Sequence, residues 1–400
     1  VPQVILGQPL SEAAWAAIGG FFAEERFNPP ECVILSRGGF AYNKLAVFAR
    51  ERGQSRALLF FILSPQHLEM HCMKAAFIKK VGPAENITYG DLPKPKPASN
   101  QVLVKVKAVG VNPVDTYIRA GHFPMDLPLP FIVGCDLAGV VESVGREVTK
   151  YQKGDRVWGS NQGMFGRQGT FAEYAAVDEC WLYPTPDNVS DQDAAATALA
   201  GITAHLGLFR ESQLKSGETV FVSGGAGGVG SSAIQMAKAV GARVFASAGS
   251  DERLQLCRRL GATAVVNHKT GDLGAALEEY GPIDVWLETR QEQDFDLIVE
   301  HMATRGRIAV LAGRDARPEL PIGLFYRKDC RLLGYAMFNA PPDEQRKCAA
   351  ELNRWLGKGR FRPQIDRVLK LSEAAEAHRL QEGHATRKGG PLAGKIVLTP

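Results

Sequence analysis

The chain has 400 residues, more than one hydrophobic core usually organises, so two folded units are the default expectation. With 45% hydrophobic and 22% charged residues it reads as a soluble globular chain, and a net charge of +4 without a basic tract offers no surface for nucleic acid. The seven cysteines are odd in number and contain no CxxC pair, so neither a zinc ribbon nor a disulfide framework is indicated, and reduced thiols in a cytoplasmic protein are the preferred reading.

In chain order, SEAAWAAIGGFFAEER (11–26) predicts an amphipathic helix capped by Ser11 and stopped by Asn28-Pro29-Pro30. The best apolar run, ALLFFIL (57–63), falls far short of the ~18–20 residues of a helical membrane span, so no membrane partner is expected. Three readings stay open for residues 1–72: a small appended module, a loosely ordered extension, or sequence translated from upstream of the real start. No chemistry can be argued from that stretch.

A fresh start follows at Met73, where MKAAFI reads as a strand. In QVLVKVKAVGV (101–111), Val102, Val104 and Val106 alternate with Lys105 and Lys107, the period of a half-buried strand. LAGVVESVG (137–145), KGDRVWG (153–159) and TFAEYAAV (170–177) add further short strands. Such strands with Gly and Pro punctuation predict a mostly β unit with barrel-like closure.

At about 190 the texture changes. SDQDAAATALAGITAHLGLF (190–209) predicts a helix capped by Ser190, with acidic residues in its first turn. Strands at 219–224, 243–249, 264–267, 284–288 and 306–313 then alternate with helices at 231–241, 251–261, 272–281 and near 292–304. CRLLGYAMF (330–338) reads as one more strand. Apolar strands separated by helices predict a parallel sheet covered on both faces, in the order of a doubly wound fold. Helices near 343–358 and 372–382 and a last strand, GKIVLTP (394–400), are expected to return to the β unit. The expected division is therefore an extension over 1–72, a β-rich domain over 73–195 completed by 335–400, and a doubly wound (Rossmann) domain over 196–334, with the site in the cleft between the two domains.

SGGAGGVGSSAIQ (223–235) holds the densest motif. Gly225-x-Gly227-x-x-Gly230 follows a buried strand, opens a helix and precedes a second strand, the context a dinucleotide fingerprint requires. Gly225 is assigned the tight turn, Gly227 the close approach of a pyrophosphate, and Gly230 the close packing of helix on strand. The N–H groups and dipole at the helix start favour phosphate charge. NAD-selective folds put Asp or Glu at the end of the second strand, but here that strand ends Ala246-Ser247-Ala248-Gly249-Ser250. Arg253, with Ser247 and Ser250 nearby, suits a 2′-phosphate instead, and a charge-assisted hydrogen bond of roughly 1.5–3 kcal/mol is enough to favour NADPH. His268, just past the third strand, is a further candidate on the adenosine side, against the alternative of a structural histidine.

GVNPVDTYIRAG (110–121), GCDLAGVVESVG (134–145), KGDRVWG, GTFAEYAAV (169–177) and GETVFVSGGAGGVGSSAIQMAK (217–238) together resemble the medium-chain dehydrogenase/reductase superfamily. Within it, residues 73–400 are similar to the zinc-independent quinone oxidoreductases, the zeta-crystallin type, apart from Phe221 where Leu is usual. The resemblance implies a GroES-like β-rich catalytic domain beside the Rossmann domain, and a homodimer or tetramer. It also implies site residues: Tyr117 beside the nicotinamide, and Asn112 as a polar residue at the catalytic cleft. Thr203 would lie near the nicotinamide amide, Ala226, Gly227, Gly228 and Val229 at the pyrophosphate, and Gly249 and His268 at the adenosine. Arg314 and the backbone around Met337 would make the far cofactor contacts. The loop after DVWLE carries Asn in many relatives and reads ETRQEQD here, so contacts there do not transfer.

Zinc-dependent relatives hold catalytic zinc at three places that correspond here to Asn112, to Gly134-Cys135-Asp136 and to the neighbourhood of Leu199. One thiol and one carboxylate do not make a three-ligand site, so no metal is expected. Without a Lewis acid, alcohol oxidation is disfavoured, whereas a quinone or enone already accepts hydride on carbon. The expectation is an NADPH-dependent reductase of quinones or similar conjugated carbonyls, with Tyr117 lining the site. Two alternatives stay open: an NADPH-dependent alkenal or enone reductase, and a non-catalytic NADPH-binding protein.

Overall fold

A computed structural model describes residues 32–35, 46–49, 72–385 and 392–400; the helix predicted over 11–26 lies outside them. The chain divides into two compact units, Val1–His71 and Cys72–Pro400. In the first, strands β1 (Cys32–Leu35) and β2 (Ala46–Ala49) pair antiparallel.

The second unit begins with a β-rich half. Its elements are β3 (Cys72–Ile78), β4 (Thr88–Pro93), β5 (Gln101–Val111), helix α1 (Pro113–Ala120), β6 (Phe131–Ile132), β7 (Leu137–Val144), β8 (Arg156–Gly159), β9 (Tyr174–Asp178) and β10 (Leu182–Pro184). β5 is the hub, paired antiparallel with both β7 and β9. Its alternation is realised, with Val102, Val104 and Val106 buried and Lys105 and Lys107 exposed. α1 was not predicted as a helix, although its signals are in the sequence: Asn112 at the cap, Pro113 in the first turn and Asp115 at the third position.

Helix α2 (Asp191–His205) starts where Ser190 Oγ accepts from Asp193 N at 3.0 Å, and it continues into a wide π-type turn, Leu206–Glu211. Beyond its acidic first turn it is largely apolar and buried, because both halves of the unit pack against it. Then come β11 (Thr219–Ser223), α3 (Gly228–Ala239), β12 (Arg243–Ala248), α4 (Asp251–Leu260), β13 (Ala264–Asn267), α5 (Leu273–Tyr280), β14 (Ile283–Glu288), α6 (Phe295–His301), β15 (Met302–Val310), α7 (Ile322–Arg327) and β16 (Arg331–Gly334). The six strands form one parallel sheet in the order β13-β12-β11-β14-β15-β16. The order reverses between β11 and β14, and ligands of such sheets bind at that switch point, beyond the carboxyl ends of the strands.

Two predicted elements come out shorter. The helix expected over 292–304 is α6, because Asp294 caps it by accepting from Leu297 N at 3.1 Å and the chain turns extended at Met302. The strand expected over 330–338 stops at Gly334, where Tyr335 turns to donate its hydroxyl to Thr203 O at 2.9 Å. After α8 (Pro342–Gly357), the chain returns to the β-rich half as β17 (Ile365–Lys370), α9 (Ala374–Ala385) and β18 (Lys395–Thr399). β18 lies between β5 and β17. Among the described residues no helix is long and apolar enough to cross a membrane.

Candidate active site

The bend between β11 and α3 lies at the switch point. The left-handed backbone falls at Gly224, with φ +74°, one residue before the glycine to which the sequence reading assigned the tight turn. Gly225 is needed for a different reason: a Cβ there would lie 2.9 Å from Cys257 Sγ and 3.0 Å from both Ala246 Cβ and Ile234 Cδ1. Gly225 N also donates to Ser247 O at 2.8 Å, which fastens the bend to β12. At Gly230 a Cβ would come within 2.3 Å of Gly224 O, so the helix rests directly on the turn. Gly227 differs, since its Cβ would meet only Gly224 O, at 3.4 Å. Ala226 is buried, and α3 starts at Gly228, so the N–H groups of Gly228, Val229 and Gly230 lack partners inside the helix. The turn is thus closed against protein on one side and open on the other, with unpaired donors and a helix dipole, an arrangement suited to an anion.

At the end of β12, Gly249 is flanked by two basic side chains. A Cβ on it would lie 3.0 Å from Lys269 Cε and 3.3 Å from His268 Nε2. Sequence reasoning named His268 and missed Lys269, which is exposed. Arg253, proposed from sequence for this corner, donates from Nη2 to Leu392 O at 2.6 Å, so part of its guanidinium is committed to the chain.

Across the switch point, α1 brings Tyr117 to the loops that follow β14 and β15. Gln291 Nε2 reaches the Tyr117 hydroxyl at 3.4 Å, and the Arg314 guanidinium lies 4.8 Å from the centre of the Tyr117 ring. Arg314 also pairs with Asp315 at 2.7 Å. Burial raises the Tyr117 pKa, which keeps the phenol protonated and able to donate. Glu288, at the end of β14, is buried, and its oxygens accept from Arg290 N at 2.8 Å and Trp286 Nε1 at 3.1 Å. Gln291 lies in the divergent ETRQEQD loop and had no signal in the sequence. Thr203 is held through its carbonyl by Tyr335, and Met337 is buried with its carbonyl accepting from Gln345 Nε2 at 3.0 Å.

Asn112 is held by other side chains of the protein. It is fully buried and both ends of its amide are used: Nδ2 donates to Asp136 Oδ2 at 2.8 Å, and Oδ1 accepts from Lys395 Nζ. No polar atom of its side chain is left for a substrate. Asp136 Oδ1 accepts from Leu199 N at 3.2 Å, so the three places that correspond to the zinc ligands of metal-dependent relatives do converge, but as a hydrogen-bonded cluster. The Lys395 amine is already present in it: Nζ lies 3.8 Å from Asp136 Oδ2 and donates to Val111 O at 2.7 Å, with burial lowering its pKa against the pull of Asp136. Burial raises both carboxyls, Asp136 against the opposing pull of Lys395, and Asp115 up to about 7, with the Asp136 charge adding to the rise. Among the described residues no three His, Cys, Asp or Glu side chains are arranged to hold a metal ion.

This geometry agrees with what comparison with known proteins finds. The model of the alcohol dehydrogenase GroES-like domain matches residues 98–187, and that of the zinc-binding dehydrogenases matches residues 228–354. The quinone oxidoreductase of Sus scrofa is 34% identical over 313 residues, which cover 74% of this chain and 90% of that protein. Among solved structures, an NAD-dependent alcohol dehydrogenase superposes with a TM-score of 0.74 at 29% identity, covering 82% of this chain and 100% of the other. The Escherichia coli quinone oxidoreductase complexed with NADPH gives 0.72 at 25% identity, covering 82% and 99%. With a β-rich GroES-like half, a doubly wound half and a glycine turn at the switch point, the chain belongs to the medium-chain dehydrogenase/reductase superfamily of oxidoreductases, in its quinone oxidoreductase and zeta-crystallin branch.

Proposed function

We propose that the chain is an NADPH-dependent reductase of quinones and similar electron-poor conjugated carbonyls, working without zinc. The observation that carries this reading is the bend over Gly224–Gly230: packed against protein at Gly225 and Gly230, open at Gly227, and placed beside the loop that touches Tyr117. These residues fit a nicotinamide dinucleotide. The N–H groups of Gly228, Val229 and Gly230 would hold its pyrophosphate, and Ala226 and Gly227 would let it approach. Gly249, His268, Arg253 and Lys269 would receive the adenosine 2′-phosphate, with no carboxylate at the end of β12 to repel it. Thr203, Arg314 and the backbone at Met337 would bound the nicotinamide end, in a cleft between the domains at 73–195 with 335–400 and at 196–334.

When bound, the reduced nicotinamide supplies a hydride. The chain's own task is to orient the acceptor and stabilise the oxyanion that forms on it. Tyr117, kept protonated by burial, and the Gln291 amide are the donors at the cleft. Asn112 acts at a distance, through the start of α1. A metal does not fit the nearby cluster, where Lys395 already balances Asp136. A conjugated carbonyl needs no Lewis acid to accept hydride on carbon, which is why quinones fit better than simple alcohols or ketones.

Turnover of 1,4-benzoquinone and of an α,β-unsaturated ketone, followed side by side through loss of NADPH absorbance, tests the reading. The quinone is expected to be reduced faster. A faster enone would move the assignment to an enone reductase, and NADPH bound but never consumed would make the protein a non-catalytic binder.

A further inference from the structure

Lysine is almost never fully buried unless its charge is matched, and Lys395 is 6% exposed. It sits at the start of β18, next to Ile396, which pairs with Val111 of β5. Its Nζ donates to Val111 O and Asn112 Oδ1, and lies 3.8 Å from the Asp136 carboxylate. Asn112 is the residue that precedes α1, and asparagine there ordinarily caps the helix with its side chain. Here the side chain is turned away to Lys395 and Asp136, while Asp115 Oδ2 closes the helix start by accepting from Asn112 N at 2.8 Å. The first turn of α1 is therefore anchored to this cluster, and Tyr117 lies just over one turn further along the same helix. The other end of the contact is the stem of the lysine. A Cβ on Gly228 would lie 2.9 Å from Lys395 Cδ and 3.3 Å from Cγ, so the first residue of α3 rests on that stem.

We propose that Lys395 is a positioning residue that fixes the start of α3 relative to the start of α1, and so sets Tyr117 against the glycine bend. One side chain touches both helix starts, by packing at Gly228 and by hydrogen bonds at Val111 and Asn112. The inference rests on the NADPH-dependent reading above, in which the bend holds the pyrophosphate and Tyr117 faces the acceptor. The bland alternative is that Lys395 only balances the buried charge of Asp136.

Two variants separate these roles. Lys395→Met with Asp136→Asn removes both charges at nearly constant volume, so a charge-balancing role is satisfied and the fold should hold. Lys395→Arg keeps the charge, but a planar guanidinium is a poor substitute for a compact ammonium beneath Gly228. Melting temperature, NADPH affinity and kcat with 1,4-benzoquinone are measured on both and on the unmodified chain. The expected result is kcat lowered by about tenfold to a hundredfold in each folded variant, as for a small misplacement of a reacting group, with NADPH affinity changed by less than about threefold in the double variant, whose methionine keeps the packing beneath Gly228. A folded variant of either kind with the kcat of the unmodified chain overturns the proposal. An unmodified chain that consumes no NADPH overturns the functional reading itself, and this inference with it.

Discussion

Gly227→Ala is expected to leave the protein folded and to remove its capacity for nucleotide, whereas Gly230→Ala is expected to damage the fold. The two glycines are three residues apart in one motif, yet their surroundings are opposite. At Gly227 the backbone has φ −75°, which alanine accepts, and the new methyl would meet only Gly224 O at 3.4 Å. That methyl would stand where the pyrophosphate has to approach. Loss of two charge-assisted hydrogen bonds, each worth roughly 1.5–3 kcal/mol, corresponds to an NADPH affinity at least about a hundredfold weaker. At Gly230 the methyl would sit 2.3 Å from Gly224 O and 2.8 Å from Gly225 Cα, both backbone atoms that cannot rotate away. Overpacking of that kind costs about 1–3 kcal/mol or more, and each kcal/mol lowers the melting temperature of a chain of 400 residues by about 1 °C. Thermal denaturation and NADPH titration of both variants check the contrast. A Gly227→Ala protein that binds NADPH as the parent does would show that the pyrophosphate lies elsewhere.

Lys269→Ala is expected to erase most of the preference for NADPH over NADH. The Lys269 stem lies over Gly249 at the end of β12, the place where NAD-selective folds carry an acidic residue for the ribose. On the NADPH-dependent reading an ammonium there would meet a 2′-phosphate, and its loss would weaken NADPH by about tenfold to a hundredfold while leaving NADH unchanged. Arg253→Ala is expected to do less to selectivity, because Nη2 of that arginine is committed to Leu392 O. Dissociation constants of both nucleotides for both variants give the answer directly. Equal weakening of NADPH and NADH by Lys269→Ala would place the lysine away from the 2′-phosphate.

The doubly wound half was legible in the sequence because strands buried on both faces are continuous apolar runs, and the helix that leads into it is capped by Ser190. The glycine bend was legible for the same reason: its residue types answer local backbone demands. The detail within it was not. Which glycine takes positive φ depends on how β12 packs, and the structure gives that role to Gly224. Residues brought together from distant segments were also hidden. Lys395 meets Asn112 across 283 positions, and Gln291 meets Tyr117 across 174. The partners of Asn112 were hidden for a related reason. The resemblance implies a polar residue at the cleft, and only the return of β18 shows that its amide is taken up by Lys395. Lys269 escaped because a lysine two residues past a strand looks like any solvated surface charge.

Titration of the purified, unmodified chain with NADPH and NADH, read by nucleotide fluorescence and by melting temperature, tests the central claim most directly. Saturable binding of NADPH tighter than NADH is predicted, with stabilisation of about 2.7 kcal/mol at a hundredfold excess over the dissociation constant. No fluorescence change and no thermal protection with either nucleotide would contradict it.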